Sequence, residues 1–137
     1  MKSKKQLQND ISELASQLKL PGIRKYFSDE IKECTLKELD YESFLLKLLE
    51  KEFELRQENG KNNRIRGANF PYKKYLEDLS ISDLPEDARQ RLGQLKTLDF
   101  IKNSQNVILA GNPGTGKTHL AIGLGIKACL EGYKVLF

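Results

Sequence analysis

Val107-Ile108-Leu109-Ala110-Gly111-Asn112-Pro113-Gly114-Thr115-Gly116-Lys117-Thr118 is the stretch from which the fold is read. Val107 to Ala110 form a short apolar run, the pattern of a strand buried on both faces of a parallel sheet. Gly111 to Thr118 match the phosphate-loop pattern G-x-x-x-x-G-K-[ST] in full. Each fixed position has a physical task. Gly111 lets the chain turn off the strand. Gly114 and Gly116 remove side chains so that the backbone N–H groups from Gly114 to Thr118 can converge on a phosphate. A helix starting near Lys117 adds its positive N-terminal dipole. Lys117 reaches the β- and γ-phosphates, and the Thr118 hydroxyl is the candidate ligand for Mg²⁺. Asn112, Pro113 and Thr115 fill the variable positions. The expected ligand of Gly111, Asn112, Pro113, Gly114, Thr115, Gly116, Lys117 and Thr118 is therefore ATP with Mg²⁺.

Downstream, Leu120, Ala121, Leu124 and Ala128 recur at helical spacing, Gly132 fits a helix stop, and Val135-Leu136-Phe137 read as a second strand. The unit predicted is strand, loop, helix, strand. It fills residues 106–137, about what a single βαβ unit requires. Hydrolysis also needs an acidic residue on a later strand and arginines that face the γ-phosphate. The expectation is thus a nucleotide cradle whose ATPase domain is cut short, with no catalytic residue in this chain.

Upstream the pattern is helical. Leu7, Ile11, Leu14 and Leu18 define a first amphipathic helix, which Pro21 and Gly22 interrupt. A short helix follows from Ile23 to about Glu33. Asp40 reads as the N-cap of a long helix in which Tyr41, Phe44, Leu45, Leu48, Leu49 and Phe53 share a face, a stripe that reads as bundle core before partner groove, with Asn59 and Gly60 as its expected stop or weak point. Residues 1–70 form the expected helical domain, 71–84 a linker, and 85–137 the nucleotide-binding portion, where Pro85, Glu86 and Asp87 open a helix running to about Leu95. The expected fold class is α/β overall, with an all-α N-terminal region ahead of the first βαβ unit of a phosphate-loop NTPase domain.

With 31% charged and 39% hydrophobic residues, the composition is that of an ordinary globular chain. Lys2, Lys4 and Lys5 are followed by Gln8, Asn9, Asp10 and Glu13 rather than by an apolar core, so no signal peptide is read. No segment approaches a transmembrane span, and the expected location is cytoplasmic. Cys34 and Cys129 lack metal-like spacing and read as reduced thiols. His119 reads as a packing or capping residue rather than a catalyst.

The net charge of +4 is concentrated locally. Residues 1–60 carry 11 basic and 12 acidic side chains, residues 61–76 five basic and none acidic, and residues 77–137 seven of each. Lys61, Arg64, Arg66, Lys73 and Lys74, interleaved with Phe70, Tyr72 and Tyr75, form a candidate DNA-binding segment. The same pattern also describes a solvated basic face whose rings pack on neighbouring helices.

Several stretches resemble a known family. Leu98-Asp99-Phe100-Ile101, the run from Asn106 to Ala121 and Gly132-Tyr133-Lys134-Val135-Leu136-Phe137 resemble the IstB-like ATP-binding proteins. These proteins assist bacterial insertion-sequence transposases and are relatives of the DnaC-type helicase loaders. Leu18-Lys19-Leu20-Pro21-Gly22, Tyr41-Glu42-Ser43-Phe44-Leu45, Glu54 with Arg56, and Ala68-Asn69-Phe70-Pro71 resemble the family's helical N-terminal region. The resemblance implies an AAA+ ATPase that oligomerises on double-stranded DNA with ATP and stimulates a partner transposase. The basic segment Lys61 to Lys74 coincides with the family's Arg-rich stretch. A helicase loader, or a helical DNA- or partner-binding module without turnover, are the alternative readings.

Overall fold

Three helices form the first part of the chain. The computed structural model describes residues 1–137, which form two compact units, Met1–Asn59 and Gly60–Phe137. Helix α1 spans Lys4–Gln17, α2 Pro21–Leu36 and α3 Tyr41–Gly67. Ser3 opens α1 with a capping box, its hydroxyl accepting from the Gln6 N–H while the Gln6 side chain returns to the Ser3 N–H. Pro21 does more than interrupt, because it occupies the first turn of α2, where its missing N–H costs nothing. Asp40 accepts from the Ser43 N–H at 2.7 Å at the start of α3, and that bond holds its carboxyl below the usual range. Helices α1 and α2 both close with the paired backbone bonds of a Schellman motif, with Lys19 and Glu38 taking the left-handed position.

The helix α3 corrects the expectation of a stop. It passes through Asn59 and Gly60 and is 27 residues long, ending at Gly67. A lone glycine weakens a helix by about 1 kcal/mol, which the helical residues on both sides of it offset here. Nor is the apolar face of α3 the core stripe the sequence suggested: Leu48 is buried and Phe44 half-buried, whereas Tyr41, Leu45, Leu49 and Phe53 are exposed.

Within the first unit α2 and α3 approach closely at Gly22 and Glu52. A Cβ at Gly22 would lie 2.6 Å from the Glu52 Cα. The Glu52 carboxylate, itself buried, accepts from the Ile23 N–H at 2.7 Å and so caps α2 from another helix. Glu33 adds a second tie, meeting Lys37 on its own helix at 2.6 Å and Lys47 on α3 at 3.1 Å.

The second unit contains α4 (Glu86–Lys96), the short α5 (Asp99–Lys102) and α6 (Lys117–Leu130), together with 3-10 turns at Leu76–Asp78 and Ile81–Asp83. Its core joins Leu76, Leu84, Leu92, Leu98, Leu120, Leu124 and Ala128. Helix α6 is the most buried element, with Ile122, Ile126 and Cys129 inaccessible. Gly132 ends it in the left-handed region (φ +101°), and Tyr133 N–H returns to the Ala128 carbonyl.

The expected α/β class is overturned. The chain is 67% helical and no residue is in a strand, so the fold is all-helical and contains no βαβ unit. The reason is the pairing requirement: an extended segment becomes a strand only when a neighbour takes its N–H and C=O groups. The run from Val107 to Ala110 donates no backbone bond, and the run from Val135 makes one isolated bond, from the Phe137 N–H to the Ala68 carbonyl at 2.9 Å. Ile108 and Leu136 are left 88% and 83% exposed, opposite to the burial a central strand requires. No helix is long and apolar enough to cross a membrane.

Two expectations follow. Gly22→Ala forces a backbone-level clash with Glu52 and is expected to cost about 1–3 kcal/mol, measured as a lower urea midpoint. The Glu33 carboxyl is held at about 2, against an ordinary 4.5, first by its hydrogen bonds from Lys37 and Lys47. A depressed carboxyl stabilises fully above 4.5 and loses that contribution as pH falls toward 2. The stability difference between the parent and Glu33→Gln is therefore expected to vanish across that window in acid titrations of the melting curve.

Candidate nucleotide site

Loop residues 111–116 and the first turn of α6 place the sequence-selected residues together. Gly114 and Gly116 have φ of +79° and +85°, the left-handed region that β-carbons disfavour. These two reversals flank Thr115, whose hydroxyl donates to the Asn112 carbonyl at 2.8 Å and closes the loop. Gly111 leaves room for it, since a Cβ there would meet the Thr115 oxygen at 3.1 Å. Around Gly114 the space is open, with nothing within 4 Å of a Cβ built on it.

The start of α6 is where the loop acquires its chemistry. Gly116 is the N-cap, and no side chain caps the helix. The first helical bond runs from the Leu120 N–H to the Gly116 carbonyl at 2.9 Å, so the N–H groups of Lys117, Thr118 and His119 lie ahead of the ladder. Lys117 folds back over the loop, its ammonium donating to the carbonyls of Gly111 and Asn112. Two of its three donors are thereby used and one remains for an anion. Thr118 is exposed. Three features therefore fit a phosphate group: an open left-handed loop, an uncapped helix start and a centred ammonium. No group of three or more His, Cys, Asp or Glu side chains is placed to hold a metal, so a cation here would share the Thr118 hydroxyl with ligand oxygens.

Two features near the loop carry little sequence signal. His119 Nε2 donates to the Tyr75 carbonyl at 2.8 Å, tying α6 to a segment 44 residues earlier. A cavity of about 630 Å³ opens beside Thr115, Gly116 and Lys117, walled by Leu84, Ala88 and Val107, with Arg91 on its lining. It falls in the size range of small-molecule sites. Both are brought together by packing across the chain, which no local motif records.

The basic segment is only partly free. Arg66, Lys73 and Lys74 are exposed and make no ion pair, and Lys61 is half-buried. Arg64 is committed elsewhere: its Nε donates to the Cys129 carbonyl at 2.7 Å, near the C-terminal end of α6. Phe70 packs on Gly125 and lies 5.7 Å from the Phe137 ring, whereas Tyr72 and Tyr75 are exposed. Both cysteines are free and buried, and burial pushes the Cys129 thiol up, which keeps it unreactive. Replacing Arg64 with Ala is expected to cost about 1 kcal/mol of stability, because it removes a partly buried hydrogen bond and leaves the Cys129 carbonyl with the Gly132 N–H at 3.2 Å as its remaining donor. Thermal melting of the variant checks this independently of any DNA contact.

Comparison with known proteins agrees with this arrangement. A family described as IstB-like ATP binding protein matches residues 13–137. A Pseudomonas aeruginosa protein named for insertion sequence IS21 and for ATP binding is 37% identical over 129 residues, which is 94% of this chain and 49% of that protein. A Geobacillus stearothermophilus protein named for IS5376 and ATP binding is 33% identical over 93% of this chain and 51% of its own length. A Bacteroides fragilis protein named as IS21-like and ATP-binding is also 33% identical, over 91% of this chain and 48% of its own. The chain thus spans about half the length of these relatives. The match over nearly all its residues, with the loop geometry inside the matched region, means that the chain belongs to the IstB-like ATP binding protein family.

Proposed function

We propose that this chain binds Mg·ATP through Gly111–Thr118 and serves as the ATP-binding part of a DNA-transposition helper that contacts DNA and stimulates a partner transposase. The observation that carries the nucleotide half is the uncapped start of α6 behind two left-handed glycines, with the Lys117 ammonium at the loop's centre. The names of the relatives, all taken from insertion sequences, favour transposition over helicase loading.

In this reading, N–H groups of the loop and the first turn of α6 hold the β-phosphate, and no rearrangement of backbone is required to expose them. Lys117 would neutralise phosphate oxygens with its remaining donor, and the Thr118 hydroxyl would be the side-chain ligand offered to Mg²⁺. When bound, the nucleotide would supply a phosphoanhydride, and a Mg²⁺ ion would supply charge neutralisation beside it. The cavity beside Thr115 to Lys117 gives the rest of the nucleotide room against the apolar side chains of Leu84 and Val107. Lys61, Arg66, Lys73 and Lys74 supply DNA-phosphate contacts, with Tyr72 and Tyr75 as exposed rings beside them. Arg64 supports that segment from beneath through Cys129. Homo-oligomerisation on DNA belongs to the same proposal.

The expected result for Lys117→Ala is Mg·ATP binding weakened about 10- to 100-fold, the loss of a charge-assisted contact, with the melting temperature little changed. Isothermal titration with Mg·ATP makes the measurement. Unaltered affinity would remove the phosphate-cradle assignment.

A further inference from the structure

We propose that a cationic cleft in the first unit, formed by Lys19, Arg24 and Lys25, is a second contact surface for the phosphate backbone of duplex DNA. The choice of DNA among polyanions rests on the proposed function. The position of the surface rests on the fold alone.

The cleft lies where α1 ends and α2 begins. It has a volume of about 410 Å³ and is lined by Ser16, Lys19, Leu20, Arg24 and Lys25, with Ala15 and Pro21 completing its walls. What distinguishes it is the pairing of charges. Lys2, Lys32, Lys37, Lys47 and Arg56 each have a carboxylate within 4.0 Å. Of the unit's 11 basic side chains, only Lys4, Lys5, Lys19, Arg24, Lys25 and Lys51 are left without one. Lys4 and Lys5 open α1. The other four converge: three line the cleft, and Lys51 shares the Tyr26 ring with Lys25, their ammonium groups lying 5.7 and 5.0 Å from its centre. Two cations against one ring repel each other unless an anion or water screens them.

The frame of the cleft is fixed from behind. Arg56 Nη2 donates to the Lys19 carbonyl at 2.9 Å, and Lys19 takes a left-handed φ of +57°. Arg24 spends its Nε on the Ser12 hydroxyl at 3.3 Å, which leaves its terminal N–H groups free. The start of α2 is not itself the anion site, since the Glu52 carboxylate already accepts from the Ile23 N–H there. The side chains form the site. Cations spread from the cleft to Tyr26 exceed what one phosphate would use and suit a run of them.

The test is duplex binding by the whole chain, followed by fluorescence anisotropy across a salt series, for the parent and for Lys19→Gln/Arg24→Gln/Lys25→Gln. The expected result is at least a roughly tenfold loss of affinity and a salt slope shallower by about two to three, near 0.9 for each phosphate contact removed. Restoring charge alone with Arg24→Lys in the single-site background should recover most of that position's share. Affinity and slope unchanged in the triple variant would overturn the proposal. So would a loss that follows falling helical circular dichroism in the single variants. A parent chain that binds Mg·ATP but no duplex would overturn it as well, while leaving the nucleotide half of the proposed function intact.

Discussion

The second unit depends on the absence of side chains along one helix. A Cβ on Gly123 would stand 2.7 Å from the Leu76 side chain and 3.2 Å from its backbone nitrogen, and one on Gly125 would stand 2.8 Å from the Phe70 ring. Without those atoms, the segment from Phe70 to Leu84 lies directly on α6. Its buried Leu76 and Leu84 join the core, and Leu79 and Leu84 reach to within ordinary contact of Gly116. The His119 bond to Tyr75 fastens the same segment one turn into the helix. The candidate nucleotide loop is thus positioned by close packing along α6, and interiors packed at this density transmit small displacements rather than absorb them.

That packing explains what the sequence made legible and what it did not. The loop's own geometry was readable because its demands are local: glycines at 114 and 116 and the lysine that follows them are required by backbone angles and donor placement within a few residues. The helices α1, α4 and α6 were readable from period and caps for the same reason. The strands were not, because a strand is a relation between two segments, and the apolar run at Val107 carries no record of whether a neighbour is present. A stop at Gly60, one of the two readings of that position, fails because propensity is a weak term beside the residues that continue the helix on either side. Arg64 looked like one cation among five. Its bond to a carbonyl 65 residues away is a product of the fold.

Charge shows the same divide between chain order and space. Counted along the sequence, the first 60 residues are nearly neutral, with 11 basic and 12 acidic side chains. In space the acids do not neutralise evenly. Glu33 alone is hydrogen-bonded to two lysines, and Glu52 is drawn into the α2 cap beside Arg56, so the carboxylates concentrate on a few cations. Others are left bare around Tyr26 and the end of α1. Net charge per segment bounds the field far from a protein, but at contact distance the unpaired groups decide which surface a polyanion meets.

The loop at α6 also bears on how strongly a phosphate could be held. Ordering a flexible loop on binding would cost about 1–2 kcal/mol for each residue fixed, which several residues would turn into a large penalty. Here Thr115 is tied to Asn112, Lys117 to Gly111 and Asn112, and Gly116 is set against Leu79 and Leu84. The donors ahead of the α6 ladder are therefore in place before a ligand arrives, and an anion need displace only water from them. Lys117 is the exception. Its carbonyl contacts substitute for those of a ligand, so any shift toward γ-oxygens trades neutral acceptors for charged ones, an exchange that favours the anion. Affinity at this site should then depend less on the lysine's reach than on the left-handed glycines that keep the N–H groups aimed at one point.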